Sequence, residues 1–174
     1  MSGMKICIIG YSGSGKSTLA EKLSARFALP CLHMDKIGYQ KNWQIVENEE
    51  RKRRLKAFLQ KNPSSWVIDG NYNAVCFEER LDLADWIVFL NFNRFTCYFR
   101  ALKRAIVYRD KQRESAPEGC REKFSLSFQR WILFEGRKKK NKQRYQYAKS
   151  LYPDKFIELK NRGQVERFLQ TLGD

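Results

Sequence analysis

The chain has 174 residues, 43% of them hydrophobic and 30% charged, with a net charge of +15. That length supports one domain with a proper core and is short for two. It holds no run of 18 or more apolar residues and no apolar leader with a small-residue cleavage site, so neither a membrane span nor a signal peptide is expected. Five cysteines without C-x-x-C spacing read as reduced thiols, the usage of a cytoplasmic protein. Residues 94–150 hold 17 Lys/Arg against five Asp/Glu, so +12 of the +15 falls in about a third of the chain. An anionic partner is expected there, either substrate phosphates or a DNA backbone.

Taken in chain order, the apolar run Ile6-Cys7-Ile8-Ile9 predicts a strand that enters Gly10-Tyr11-Ser12-Gly13-Ser14-Gly15-Lys16-Ser17-Thr18. This fits G-x-x-x-x-G-K-[ST], the phosphate-binding P-loop pattern. Glycines let successive backbone N–H groups turn inward, so Ser12, Gly13, Ser14, Gly15, Lys16, Ser17 and Thr18 are the candidate nucleotide-binding residues. Lys16 would place its ammonium on the β- and γ-phosphates, and Ser17 would offer a hydroxyl to Mg²⁺. Leu19, Leu23 and Phe27 follow at helical spacing, so the positive end of that helix faces the same anion. The order G-x-x-G-x-G departs from the dinucleotide fingerprint. A nucleoside triphosphate, ATP with Mg²⁺, is the expected ligand.

Beyond the first helix, residues 29–34 predict a buried strand ending at Asp35, and Lys36–Gln44 a polar loop carrying Tyr39 and Trp43. Glu47–Lys61 predicts a charged helix with a narrow apolar stripe. Trp66-Val67-Ile68 predicts a strand ending at Asp69, Ala74–Leu83 a short acidic helix, and Trp86–Leu90 a further strand. Phe95, Tyr98, Phe99, Leu102, Ala105 and Ile106 recur at helical spacing. Residues 108–122 lose that stripe, carry Pro117 and Gly119, and read as a mobile loop. Phe124 to Ile132 restarts a helix running into Arg137-Lys138-Lys139-Lys140, whose basic block to Arg144 is expected to face solvent. Phe156–Leu159 and Val165–Leu172 close the chain as strand and helix. Strands alternating with helices predict an α/β, three-layer domain with a parallel sheet of five strands.

Ligands bind beyond the carboxyl ends of such strands. Asp69 stands there as a candidate Mg²⁺ ligand or as a turn residue. Asp35 stands there as the acceptor of a hydroxyl proton or as a cap. His33, the single histidine, is expected to be a packed residue. Arg104, Arg109 and Arg113, with Lys16, are the candidates for stabilising charge on a transferring phosphoryl group. Arg100, Arg121 and Arg130 complete the basic set around the loop.

Four segments together resemble the bacterial "DNA topology modulation protein" (FlaR-like) group, within the adenylate-kinase-like branch of P-loop kinases. They are Gly10 to Ser17, Leu32-His33-Met34-Asp35-Lys36, Trp66-Val67-Ile68-Asp69-Gly70-Asn71-Tyr72, and Glu118-Gly119-Cys120-Arg121-Glu122-Lys123-Phe124 with Trp131. The resemblance implies a strand order of 2-3-1-4-5, an acceptor-side helical insert over about 36–62 and a lid over about 109–123. In nucleoside monophosphate kinases an Asp-Gly pair ends the third strand, as Asp69-Gly70 does here, but the arginine that follows it there has no counterpart in Asn71-Tyr72-Asn73. Two readings stand at this point. One is a kinase moving the γ-phosphoryl of ATP to a small-molecule acceptor. The other is an ATP-binding, DNA-associated regulator that uses the basic region 94–150.

Overall fold

The computed structural model describes residues 3–72, 75–109, 111–122 and 124–172. In chain order it contains β1 (Lys5–Gly10), α1 (Lys16–Phe27), β2 (Cys31–His33), α2 (Met34–Gly38), β3 (Tyr39–Gln40), β4 (Gln44–Ile45) and α3 (Asn48–Lys61). There follow β5 (Trp66–Asp69), α4 (Phe77–Leu83), β6 (Trp86–Leu90), α5 (Arg94–Val107), α6 (Leu126–Leu133), α7 (Lys139–Leu151), β7 (Phe156–Leu159) and α8 (Arg162–Thr171).

Five strands form one parallel sheet in the order β2-β5-β1-β6-β7, the arrangement that the resemblance implies. β1 lies at its centre, and Ile6, Ile8 and Ile9 have no exposed surface, as a parallel strand covered on both faces requires. α1 packs on β1, β2 and β5, α4 on β1, and α8 on β7, giving a sheet flanked by helices. From β1 the chain first builds the β5-β2 side and then crosses to β6 and β7. The crevice at the carboxyl end of β1 is therefore the topological switch point, where open sheets of this kind receive ligands.

Three local expectations change. Residues 36–44 are not a plain loop: α2 continues directly from β2, and β3 and β4 pair as a small antiparallel hairpin. The helix expected to run from Phe124 to Lys140 breaks, because Phe134 leaves helical geometry and a 3-10 turn, Glu135–Arg137, precedes α7. Arg137 does not face solvent with its basic neighbours. Its guanidinium lies 3.8 Å from the Tyr11 ring centroid and donates to the Phe92 carbonyl at 2.7 Å. The apolar stripe of α5 does not enter the core, since Phe95, Phe99 and Ile106 are exposed while Cys97 and Ala101 are buried. Ala74, the expected start of the acidic helix, and Lys123, the end of the expected lid, lie outside the described residues. No described helix is long and apolar enough to cross a membrane.

Candidate functional site

A cavity of about 1190 Å³ covers the carboxyl ends of the central strands. Every residue from Ser12 to Thr18 lines it, together with Asp35, Asp69, Arg104 and Arg113. Arg109 is not brought to it and stands exposed beyond the end of α5. Arg100 is brought to it, its guanidinium 4.5 Å from the Phe92 ring centroid and donating to the Ser14 carbonyl at 2.9 Å.

The glycine loop takes its shape from contacts that exclude side chains. Gly13 has φ +79°, and a Cβ there would lie 2.3 Å from the Cys97 carbonyl oxygen. Gly15 caps α1 without a side-chain acceptor, which leaves the first N–H groups of a 12-residue helix facing the loop. Lys16 folds back to donate from Nζ to the carbonyls of Gly10 and Tyr11 at 3.0 and 3.1 Å. Burial lowers the pKa of this ammonium, and the charges of Asp69 and Asp35 oppose that shift. The Ser14 hydroxyl is buried with no hydrogen-bond partner. An unpartnered buried hydroxyl in a glycine-rich loop before an uncapped helix N-terminus fits a site for an anion.

The last residue of β5 and the three that follow it are each committed. Asp69, almost fully buried, accepts from Ser17 Oγ at 2.8 Å on one carboxylate oxygen and from His33 Nδ1 at 2.5 Å on the other. Burial alone would lower the His33 pKa, but the hydrogen bond and charge of Asp69 outweigh it and the net shift is upward. Gly70 sits at φ +131°, where a Cβ would lie 2.6 Å from Met34 Cβ. Asn71 pairs its amide with the Gly10 backbone in both directions, accepting from Gly10 N at 3.0 Å and donating to Gly10 O at 2.8 Å. Tyr72 donates its hydroxyl to Asp35 Oδ1 at 2.6 Å. Beneath them the buried Arg80 donates to the carbonyls of Gly70 and Tyr72, at 3.2 and 3.3 Å, and holds the turn from below.

The opposite wall comes from the hairpin and from residues 111–122, which touch each other. Trp43 takes a left-handed conformation, φ +63°, rare for a bulky side chain. Its indole N–H donates to the Arg121 carbonyl at 2.9 Å and its backbone N–H to Cys120 Sγ at 3.3 Å. Cys120 in turn donates to the Gln40 carbonyl at 3.0 Å. Arg104 and Arg113 meet at Glu122, whose side chain is 5% exposed: Arg104 Nε lies 3.1 Å from one carboxylate oxygen and Arg113 Nε 3.2 Å from the other.

Of the residues named from the sequence, the loop, Asp35, Asp69, Arg100, Arg104 and Arg113 are brought here, and Arg162 joins them unforeseen. Sequence reasoning left His33 as a packing residue and gave Asn71 and Glu122 no role. The Asp-Gly-Asn-Tyr run was a signal for Asn71. Nothing in the sequence separates Glu122 from Glu114 and Glu118 nearby.

Residues 6–118 match the family model of the AAA domain (AAA_18). The chain belongs to that family. It is a P-loop NTPase-like family that includes kinases, and the matched residues contain the loop at Gly10 to Thr18. A crystal structure of an uncharacterized protein from Eubacterium ventriosum is similar over 98% of this chain and 99% of that one, with 18% identity and a TM-score of 0.51. That likeness is one of fold alone. No curated protein matches the chain.

Proposed function

We propose that this protein binds Mg·ATP over residues 12–18 and transfers the γ-phosphoryl group to a small acceptor seated between Asp35 and residues 111–122. The observation that carries this reading is Asp35, a carboxylate that lines the same cavity as the glycine loop. A triphosphate cradle alone would serve hydrolysis. Here Asp35, tethered by Tyr72 and near enough for its charge to act on Lys16, lies beside it in the same cavity under a hairpin and a loop. A carboxylate fixed through one oxygen keeps the other for an acceptor proton. Residues 111–122 would act as the lid that excludes water from the transfer, with the Trp43 and Cys120 contacts as its latch.

The Ser17 hydroxyl and Asp69 carboxylate are hard oxygen donors, 2.8 Å apart, and fit Mg²⁺. Among the described residues there is no cluster of three or more His, Cys, Asp or Glu that could hold a metal without phosphate and water. When bound, the ion would neutralise charge between the β- and γ-phosphates. The chain's own part is positional. Loop amides and Lys16 hold the phosphates, Arg104 and Arg113 face the group in transfer, and Asp35 orients the acceptor.

Membership of the topology-modulation group remains a finer proposal, resting on residues 69–72 and 119–120. Internal contacts of Arg100, Arg104, Arg113 and Arg137 favour the kinase reading, because they draw four arginines away from a DNA-binding surface. The test is ADP release from Mg·ATP across a broad panel of nucleosides, nucleotides and hydroxyl metabolites. Stimulation by one compound supports the kinase; silence across the panel overturns it.

A further inference from the structure

We infer that the acceptor is an unphosphorylated alcohol, and that Glu122 enforces this by neutralising the two arginines that would otherwise grip an acceptor phosphate. The inference rests on the kinase reading above and narrows its substrate.

Charge at the point of transfer supports it. Lys16, Arg104 and Arg113 bring three positive charges and Asp35, Asp69 and Glu122 three negative ones, while Lys22, Arg100, Lys103 and Arg162, with Glu21 and Glu114, line the rest of the cavity. A triphosphate already engages the cations, so a second phosphate would need cations of its own. Among the described lining residues of 35–43, 69–72 and 111–122, Arg113 is the one cation, and Glu122 pairs it. Otherwise this acceptor wall presents the rings of Tyr39, Trp43 and Tyr72, the carboxylates of Asp35 and Glu114, and the Ser115 hydroxyl. Lys36 is exposed in an adjoining cleft, where Glu114 and Glu118 offset it and Arg113. Tyr39 stands edge-on to both Trp43 and Tyr72, with centroids 5.3 and 6.3 Å away. Such a wall suits the flat or apolar face of a neutral molecule, or a cation, and repels a phosphate ester.

Glu122 is built for the part. Its carboxylate is shut off from solvent and lies between two arginines from different segments, one on α5 and one in residues 111–122. Both contacts are ion pairs by distance, yet Arg104 Nε, Arg113 Nε and Glu122 Oε1 are left without an aligned hydrogen bond. A buried carboxylate held for its hydrogen bonds would align them. One held for its charge need only be close. In the reaction the acceptor oxygen forms the new bond to the γ-phosphorus, and the bond from that phosphorus to the β,γ-bridging oxygen breaks. ADP leaves with the electron pair, and the hydroxyl proton passes to Asp35.

The test uses the full chain with Mg·ATP and matched pairs: nucleosides against their 5′-monophosphates, and amino alcohols or amino sugars against their phosphate esters. The wild type should release ADP with members of the alcohol arm and leave the phosphorylated partners unused. Turnover of a monophosphate with kcat/KM equal to or above that of its parent alcohol overturns the inference and leaves the kinase reading standing. Silence in every arm overturns both. Glu122→Gln should lower the alcohol-to-monophosphate ratio of kcat/KM by about tenfold or more, while Glu122→Asp keeps it. A general loss of folding would lower both arms together, so the ratio separates specificity from structure. An unchanged ratio in Glu122→Gln overturns the role of Glu122. Binding of AMP to protein saturated with a non-hydrolysable ATP analogue gives a reading without turnover: it should tighten in Glu122→Gln, and unchanged binding counts against the assignment.

Discussion

Residues 69–72 and residues 111–122 face one cavity and each brings charge to it, but they are held in different ways. The first segment continues a central strand. Its side chains bond to β1, α1 and α2, and its backbone is gripped from below by a buried arginine. Each group there has a partner aligned for it. The second segment has no regular structure of its own among its described residues, and it leans on the hairpin through one thiol and one indole and on α5 through one carboxylate. A site for a fixed polyphosphate and a site for an entering acceptor make opposite demands. Rigid, prepaid geometry suits the first, and a cover that can lift suits the second.

The largest way to break this contrast is at its rigid pole. Lys16→Ala should reduce turnover by about 10²–10³, the loss expected when a preorganised electrostatic group is removed. Steady-state ADP release with a stimulating acceptor measures it, and wild-type-like turnover would mean that the cradle does not act on the phosphates. Next comes Asn71→Ala, which deletes both hydrogen bonds to Gly10, taking the acceptor from its N–H and leaving Lys16 as a donor to its carbonyl. A stability loss of about 1–3 kcal/mol is expected by urea denaturation, and nucleotide affinity should fall with it, because Gly10 opens the loop. A variant as stable as the wild type would show that the loop holds itself.

A smaller effect should appear away from the cavity, at Glu158. Its carboxylate accepts from Asn91 at 2.7 Å, with Lys149 and Lys160 at 3.5 and 3.7 Å. The Asn91 hydrogen bond, and after it the two lysines, hold its pKa below the usual carboxylate value despite partial burial. The folded value lies below the unfolded one, so this contribution is present above about pH 4.3 and is lost as pH falls through the folded value. Glu158→Gln should remove about 0.5–1 kcal/mol at pH 7 and less in acid. Equal losses at pH 7 and pH 3 would deny the charge any part.

What was legible in the chain follows the same division. β1, the glycine loop and the ends of β2 and β5 are coded locally: an apolar run, a fixed spacing, a polar residue at each strand end. Their roles could be read because parallel sheets place such ends together. The union of Arg104, Arg113 and Glu122 could not be read. It depends on how an irregular segment folds over the sheet, and acidic residues at 114, 118 and 122 look alike until that fold is known. Residues 36–44 were misread as a loop for a related reason. The hairpin has two residues per strand and a left-handed tryptophan at its turn, too little for a period of two to show.

α5 combines the two cases, and the smallest expected effect tests it. Its helical period was read, and the face that the period marks turns outward. Phe95, Phe99, Leu102 and Ile106 share one face at 100° per residue, the usual mark of a core stripe. Yet Phe95, Phe99 and Ile106 are 60%, 63% and 68% exposed, and the inward face is built from Cys97 and Ala101, with Arg100 and Arg104 reaching the cavity. Small residues bring the helix axis close to the glycine loop, as the Cys97 carbonyl beside Gly13 shows. A large side chain on that face would push the arginines out of reach. Phe99→Ser and Ile106→Ser should therefore each change unfolding free energy by less than about 0.5 kcal/mol, against about 2–5 kcal/mol for Leu23→Ala in the core. Urea midpoints at low and high protein concentration provide the comparison. Losses near that of Leu23→Ala at high concentration only would mean that another surface covers the stripe in solution, and the same losses at both would return it to the core.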